Sequence, residues 1–396
     1  MSITAATGFS VGVGEAGIRD SGGPDLVVIA SDRPANAAAT FTTNRLRAAP
    51  VLVAEEALRA SGGRARAIVI NAGCANAGTG THGLEDARAV IAATAALLGC
   101  ASDEVLPAST GLIGSRLPVD AMVRTIATVT LSPAADAAHR AARAIMTTDT
   151  RPKEHAVTAR LTDGREVHIG GMAKGAGMIH PDMATMLAFI VADAPIEPEA
   201  LSGLLRPAVQ RTFNQVTVDG DTSTNDAVFV LANGAAGGAP ISDPADLRAL
   251  AEALEAVCRG LAIAIAADGE GARHLIEVTV SGAPDDIAAR AVARTVASSS
   301  LVKTAVHGAD PNWGRIAAAA GRSGVALEPD RLRVAIGDLC VYDGAPVAFD
   351  EGQAQAVLRG EIVPIGLDLA MGSGSGVAWG CDLSAEYVAI NSEYTT

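Results

Sequence analysis

Residues 174–190 read KGAGMIHPDMATMLAFI: a Gly-rich turn with a lysine, then a proline, then an apolar run. At the junction a small residue, Ala184, stands directly before a hydroxyl residue, Thr185. A threonine hydroxyl is a weak nucleophile until a base takes its proton, and one economical base is the α-amine of the same residue. That amine exists only if threonine begins a chain. It titrates near about 7.7–8.0, so a useful fraction is neutral around neutral pH. Breaking the Ala184–Thr185 bond would create such a residue, and a small Ala184 leaves the hydroxyl room to reach its carbonyl. The same dipeptide also suits a buried strand that starts after a loop, and spacing alone favours that plainer reading.

Other stretches that resemble chemical motifs fail on their surroundings. Gly12–Gly17 spells G-x-G-x-x-G, but IRDSGGPD follows instead of an apolar helix whose N–H groups could meet a pyrophosphate; a loop is expected. DGDTSTND at 219–226 is acidic enough to suggest calcium. Its sixth position is Thr224 and its twelfth Val230, where a calcium loop needs Gly and Glu. A turn hydrogen-bonded through Asp and Thr side chains, leading into a strand at Asp226, is expected instead. GSGSG at Gly372 puts Gly374 where G-x-S-x-G needs serine, and the seven histidines form no H-E-x-x-H.

The elements that must hold such residues alternate along the chain. DLVVIAS from Asp25, ARAIVIN from Ala65 and DAVFVLAN from Asp226 read as buried strands. Helical spacing runs through 83–99, 134–146 and 243–266, the last with Asp243 as its N-cap. Residues 157–171 form a hairpin turning at Asp163-Gly164, and NGAAGGAPISDP from Asn233 is a surface loop. A soft boundary falls near Gly271–Arg273, after which a strand-then-helix unit begins again.

Of 396 residues, 49% are apolar and only 3% aromatic, so small aliphatic side chains do the packing. That composition suits layered helices and sheets. A formal charge of −14 with no basic run argues against a nucleic-acid partner. Five scattered cysteines without C-x-x-C spacing read as reduced thiols. The first residues show no secretory pattern, and the longest apolar helical stretch, 89–102, is too short for a bilayer. The expectation is a cytoplasmic protein with no membrane partner.

MAKGAGMIHPDMATMLAFI closely resembles the cleavage region of the ornithine acetyltransferase (glutamate N-acetyltransferase) family, self-cleaving Thr-nucleophile enzymes of arginine biosynthesis. ASTGLIGSRLP, AIMTTDTRPKE, VDGDTSTNDAV, DGEGARHLIEV, SLVKTAVHGADPNWGRI and INSEYTT follow the family's order, so the resemblance spans essentially the whole chain. It implies cleavage between Ala184 and Thr185, with Thr185 as nucleophile and Thr110 and Gly111 as an oxyanion hole supplying a hydroxyl and an N–H. A donor aimed at a developing oxyanion is worth about 3–4 kcal/mol. Substrate contacts carry over to Thr147, Lys174, Thr185, Glu270, Asn391 and Thr396. A zwitterionic amino acid needs a cation, an anion and neutral donors; which charge Lys174 and Glu270 each meet stays open.

The resemblance further implies double displacement: acetyl passes from N-acetylornithine to Thr185 and then to glutamate, with no cofactor or metal. It leaves acetyl-CoA open as a second acetyl donor. The implied fold is the family's layered α/β sandwich with a smaller C-terminal α/β lobe. Residues 1–184 would be an α subunit and 185–396 a β subunit, divided into a core part (185–272) and a C-terminal lobe (273–396). Two of each would form a heterotetramer. Cys74, Gly78 and His274 depart from residues frequent in the family. The rivals are a relative of specialised metabolism acting on another amine, a self-cleaving hydrolase, and a non-catalytic binding protein.

Overall fold

The protein is described by a computed structural model over residues 2–180 and 186–393. Ala184, Thr185 and Thr396 lie outside the described residues.

The first part of the chain contributes β1 (Phe9–Gly14), β2 (Leu26–Phe41), β3 (Arg64–Cys74), β4 (Val105–Leu112), β5 (Lys153–Arg160), β6 (Glu166–Lys174), β7 (Leu187–Ala192), β8 (Val216–Thr217) and β9 (Ala227–Ala232). Except for β8, these form one mixed sheet in the order β4-β3-β2-β9-β7-β6-β5, with β1 paired to β2. β7 and β9, parallel at its centre, are buried along their whole length. Their side chains alternate between two cores, as a period of two requires. Ala188, Ile190 and Ala192 join Val228 and Val230 under helices Pro198–Arg211 and Pro244–Ala267. Leu187, Phe189 and Val191 join Phe229 and Leu231 under helices Ala49–Ala60 and Ala135–Ala144. Phe189 and Phe229, opposite each other in register, stack with centroids 5.9 Å apart. The strand that follows Thr185 is therefore among the most firmly held in the molecule.

A second sheet contains β10 (Leu275–Ala283), β11 (Arg333–Ile336), β12 (Leu339–Asp343), β13 (Ile362–Asp368) and β14 (Gly374–Cys381), ordered β12-β11-β13-β10-β14-β8. It has its own core against helices Asp286–Ala297, Ser300–His307 and Trp313–Gly321. β8 ties it to the first part of the chain, and Trp379 of β14 is buried with the residues of helix Pro244–Ala267. The whole is a layered α/β fold. Among the described residues, no helix is long and apolar enough to cross a membrane.

Asp243 caps its helix through the N–H groups of Ala245 and Asp246, and β5 and β6 form the expected hairpin around Asp163-Gly164. Two expectations need correction. Gly12 and Gly14 lie in β1 rather than a loop, because the segment pairs with β2, and Thr125 and residues 129–131 pack directly onto it. A Cβ on Gly12 would come 2.3 Å from Val129, and one on Gly14 2.4 Å from Thr125. No helix follows before β2, so the objection to a dinucleotide site stands. β2 also continues well past Ser31, with its register shifting between Ala30 and Ala35. The polar Asp32-Arg33-Pro34 at that bulge conceals the continuation.

Candidate active site

The C-terminal end of β4 carries Thr110 and Gly111. Gly111 has φ +126°, and a Cβ there would lie 2.3 Å from the carbonyl carbon of Gly73. Only glycine fits this close approach of two strands. Beneath it a buried amide network fixes the strand end. Ser109 Oγ donates to Asn71 Oδ1 (2.6 Å), and Asn71 Nδ2 donates to the Cys74 carbonyl (2.8 Å). Asn225 Nδ2 donates to the carbonyls of both Ala75 (2.7 Å) and Ser109 (2.9 Å).

β6 ends in Lys174, whose buried ammonium donates to Thr147 Oγ1 at 2.7 Å and Thr110 Oγ1 at 3.2 Å. Asp149 lies 4.0 Å from the same nitrogen. Its carboxylate also accepts from the N–H groups of Thr147 (3.0 Å) and Gly175 (2.7 Å) and from Lys153 Nζ (2.6 Å). Lys153 in turn reaches Asp268 at 2.6 Å, and Asp268 accepts from the N–H and hydroxyl of Thr150. Burial pushes the Asp149 carboxyl up, but Lys174, Lys153 and the Gly175 N–H outweigh it and hold Asp149 down at about 2. Burial pulls the Lys174 ammonium below the usual lysine value; Asp149, Asp226 and Glu270 oppose that fall and Lys153 adds to it.

Two residues beyond Asp268, Glu270 is buried, and its carboxylate lies over Gly177, where a Cβ would come within 2.4 Å of it. Asn391, on helix Ala385–Glu393, donates to Glu270 Oε2 at 2.7 Å. Asp219 grips the segment leading towards Thr185, accepting from the N–H groups of Met178 (2.6 Å) and Ile179 (2.9 Å). Met178 itself sits at φ +54°, unusual for a side chain of its size. The expected Asp and Thr turn at 219–226 thus exists and extends to holding this segment.

Thr110, Gly111, Thr147, Lys174, Glu270 and Asn391 all line one cavity of about 120 Å³. Met186, the first described residue after Thr185, lines it too. Thr185 and Thr396 have no described position. Sequence reasoning missed Asp149, Lys153, Asp268 and Asn225 as individuals, although each lies in a quoted family-like or turn segment. Cys74, Gly78 and His274 are not among the lining residues. Among the described residues, no group of three or more His, Cys, Asp or Glu could hold a metal ion.

The ArgJ family profile matches residues 10–396. The arginine biosynthesis bifunctional protein ArgJ of Thermosynechococcus vestitus is 50% identical over 411 residues, spanning 100% of this chain and 98% of its own. The chain belongs to the ArgJ family. The ArgJ protein of Thermus thermophilus is 48% identical, with each chain covered in full. Among solved structures, the arginine biosynthesis bifunctional protein of Bacillus halodurans is similar at 45% identity and a TM-score of 0.52, over 53% of this chain and 100% of that one. The ornithine acetyltransferase of Mycobacterium tuberculosis, solved with ornithine, is 42% identical over 46% of this chain and 96% of its own, with a TM-score of 0.43.

Proposed function

We propose that this ArgJ-family chain moves acetyl from N-acetylornithine to glutamate in arginine biosynthesis, through an ester on Thr185 formed after the Ala184–Thr185 bond is cut. The observation that carries the reading is the convergence of Thr110, Gly111, Thr147, Lys174, Glu270 and Asn391 on the cavity that Met186 also lines. Cleavage would leave residues 185–396, slightly over half the chain. In support, the Bacillus halodurans chain is covered whole by 53% of this one.

In cleavage, the Thr185 hydroxyl adds to the Ala184 carbonyl. The acyl group moves from nitrogen to oxygen, and water releases a chain whose first residue carries a free amine. In turnover that amine takes the hydroxyl proton as Oγ attacks the acetyl carbonyl. The Thr110 hydroxyl and Gly111 N–H meet the oxyanion, which collapses as ornithine's nitrogen takes a proton and leaves. The glutamate amine then attacks the acetyl ester, and N-acetylglutamate departs with Thr185 restored. The bonds balance without cofactor or metal. Glu270, steadied by Asn391, and Lys174 supply the opposite charges a zwitterionic substrate needs, and Thr396 adds a further contact.

We further assign a cytoplasmic heterotetramer of two α (1–184) and two β (185–396) chains, the β chain divided at 272/273, with acetyl-CoA as a candidate second donor. The test is transfer from N-acetylornithine to glutamate by purified protein, repeated with acetyl-CoA. Transfer in the first arm with little free acetate supports the reading. Free acetate as the main product points to a hydrolase, and no reaction with N-acetylornithine removes the proposal.

A further inference from the structure

Lys174 has three N–H bonds to place, and two go to the Thr147 and Thr110 oxygens. An oxygen that accepts from an ammonium must turn its own hydrogen elsewhere. Neither threonine hydroxyl has an acceptor among the described residues, and both side chains line the cavity. The ammonium therefore presents two hydroxyl hydrogens to whatever occupies that space. Were Lys174 neutral, its lone pair could accept from one of those hydroxyls and the donor would be lost. A neutral amine would keep two N–H bonds but compete for a hydroxyl hydrogen with its lone pair; the charge removes that competition, and burial works against the charge.

We propose that Asp149 is a positioning residue, which by holding Lys174 charged and in place keeps the Thr110 and Thr147 hydroxyls as donors into the cavity. This rests on the acetyl-transfer reading for its catalytic consequence, though not for its structural one. Asp149 is suited to the task by its three other attachments. It fixes the backbone of Thr147 on one side of the ammonium and of Gly175 on the other, and Lys153 anchors it from behind. Among the described residues, the charged groups that bear on Lys174 are Asp149, Lys153, Asp226 and Glu270. Asp149 exerts the largest favourable influence of these.

The chain contains only three lysines, Lys153, Lys174 and Lys303, so lysine side-chain NMR on carbon-13-labelled protein should give few signals, with Lys174 assigned through Lys174→Met. In wild type, Lys174 should remain charged throughout the pH range of activity. In Asp149→Asn it should lose its proton at lower pH. There kcat should fall about 100-fold, KM should rise as the charge offered to the substrate weakens, and activity should fade as pH rises through the new midpoint. Asp149→Glu should restore part of the rate. In a Thr110→Val background, adding Asp149→Asn should cost far less, because the hydroxyl it serves is already gone. An unchanged Lys174 titration in Asp149→Asn, or an equal loss in the Thr110→Val background, overturns the proposal. Should Asp149→Asn fail to fold, wild type still decides, since a neutral Lys174 at the working pH is incompatible with it. Absence of acetyl transfer in wild type would remove the catalytic reading, while the titration would separately judge the link between Asp149 and Lys174.

Discussion

Lys153 Nζ and Asp268 Oδ2 lie 2.6 Å apart, and both side chains are almost wholly buried. In the sequence they stand on opposite sides of the Ala184–Thr185 bond, so cutting that bond would leave this ion pair between two chains. Asp149 completes the cluster at 2.6 Å from the same nitrogen. Replacing Lys153 with Met removes the cation shared by two buried carboxylates. Removing one partner of a buried pair typically costs about 3–5 kcal/mol. Denaturant unfolding should show a loss of that size; a change below about 1 kcal/mol would mean the cluster is not a structural tie.

Acid should weaken the fold through Asp149. Its carboxyl is held at about 2 in the folded protein against an ordinary 3.8. A depressed acid adds stability that is fully present above the unfolded value and is lost as pH falls through the folded one. The window therefore runs from about pH 4 to 2, for a contribution on the order of 2 kcal/mol. Unfolding free energies measured across that range should drop more steeply in wild type than in Asp149→Asn. Parallel curves would count against the charge assigned to this group.

Gly111→Ala tests the oxyanion role proposed for the end of β4. The new methyl would press on the Gly73–Cys74 backbone at a φ that alanine resists. Displacing one oxyanion donor costs about 100-fold or more in kcat. A variant that folds and keeps full kcat would take Gly111 out of the mechanism.

Asn391→Ala leaves Glu270 without its 2.7 Å donor. Steady-state kinetics should show KM for the amino-acid substrate raised about 10-fold with kcat much less affected, the pattern of lost uniform binding. Unchanged KM would refute a substrate role for the Asn391–Glu270 pair.

Much of this was legible in the sequence, for physical reasons. Buried strands such as ARAIVIN and DAVFVLAN announce themselves by apolar runs between turn residues, and Asp243 by its place before a helix. β2 runs beyond the apolar stretch that ends at Ser31, because its partners carry the strand on past a bulge at the polar Asp32-Arg33-Pro34. Gly12 and Gly14 looked like loop glycines because the neighbours that exclude a Cβ come from residues 125 and 129. The resemblance supplied Thr110, Gly111, Thr147, Lys174, Glu270 and Asn391, which line the cavity, yet not Asp149, Lys153 or Asp268. Lys153 meets Asp149 only four residues away, but it reaches Asp268 across 115 residues of chain, a separation no local pattern reports. One signal was there: lysine is very rare among the thirty basic residues, and all three lysines are buried. A charge kept out of water needs partners.

The most direct test of acetyl transfer through Thr185 is denaturing intact-mass spectrometry of wild-type protein, quenched after N-acetylornithine is added without glutamate. Two chains should appear, corresponding to residues 1–184 and 185–396. The second should be heavier by one acetyl group on Thr185, and that group should disappear when glutamate is added before the quench. Thr185→Ala should give one uncut, unacetylated chain. A wild-type chain that stays whole while transferring acetyl at full rate would contradict the claim that a freed Thr185 amine is the base.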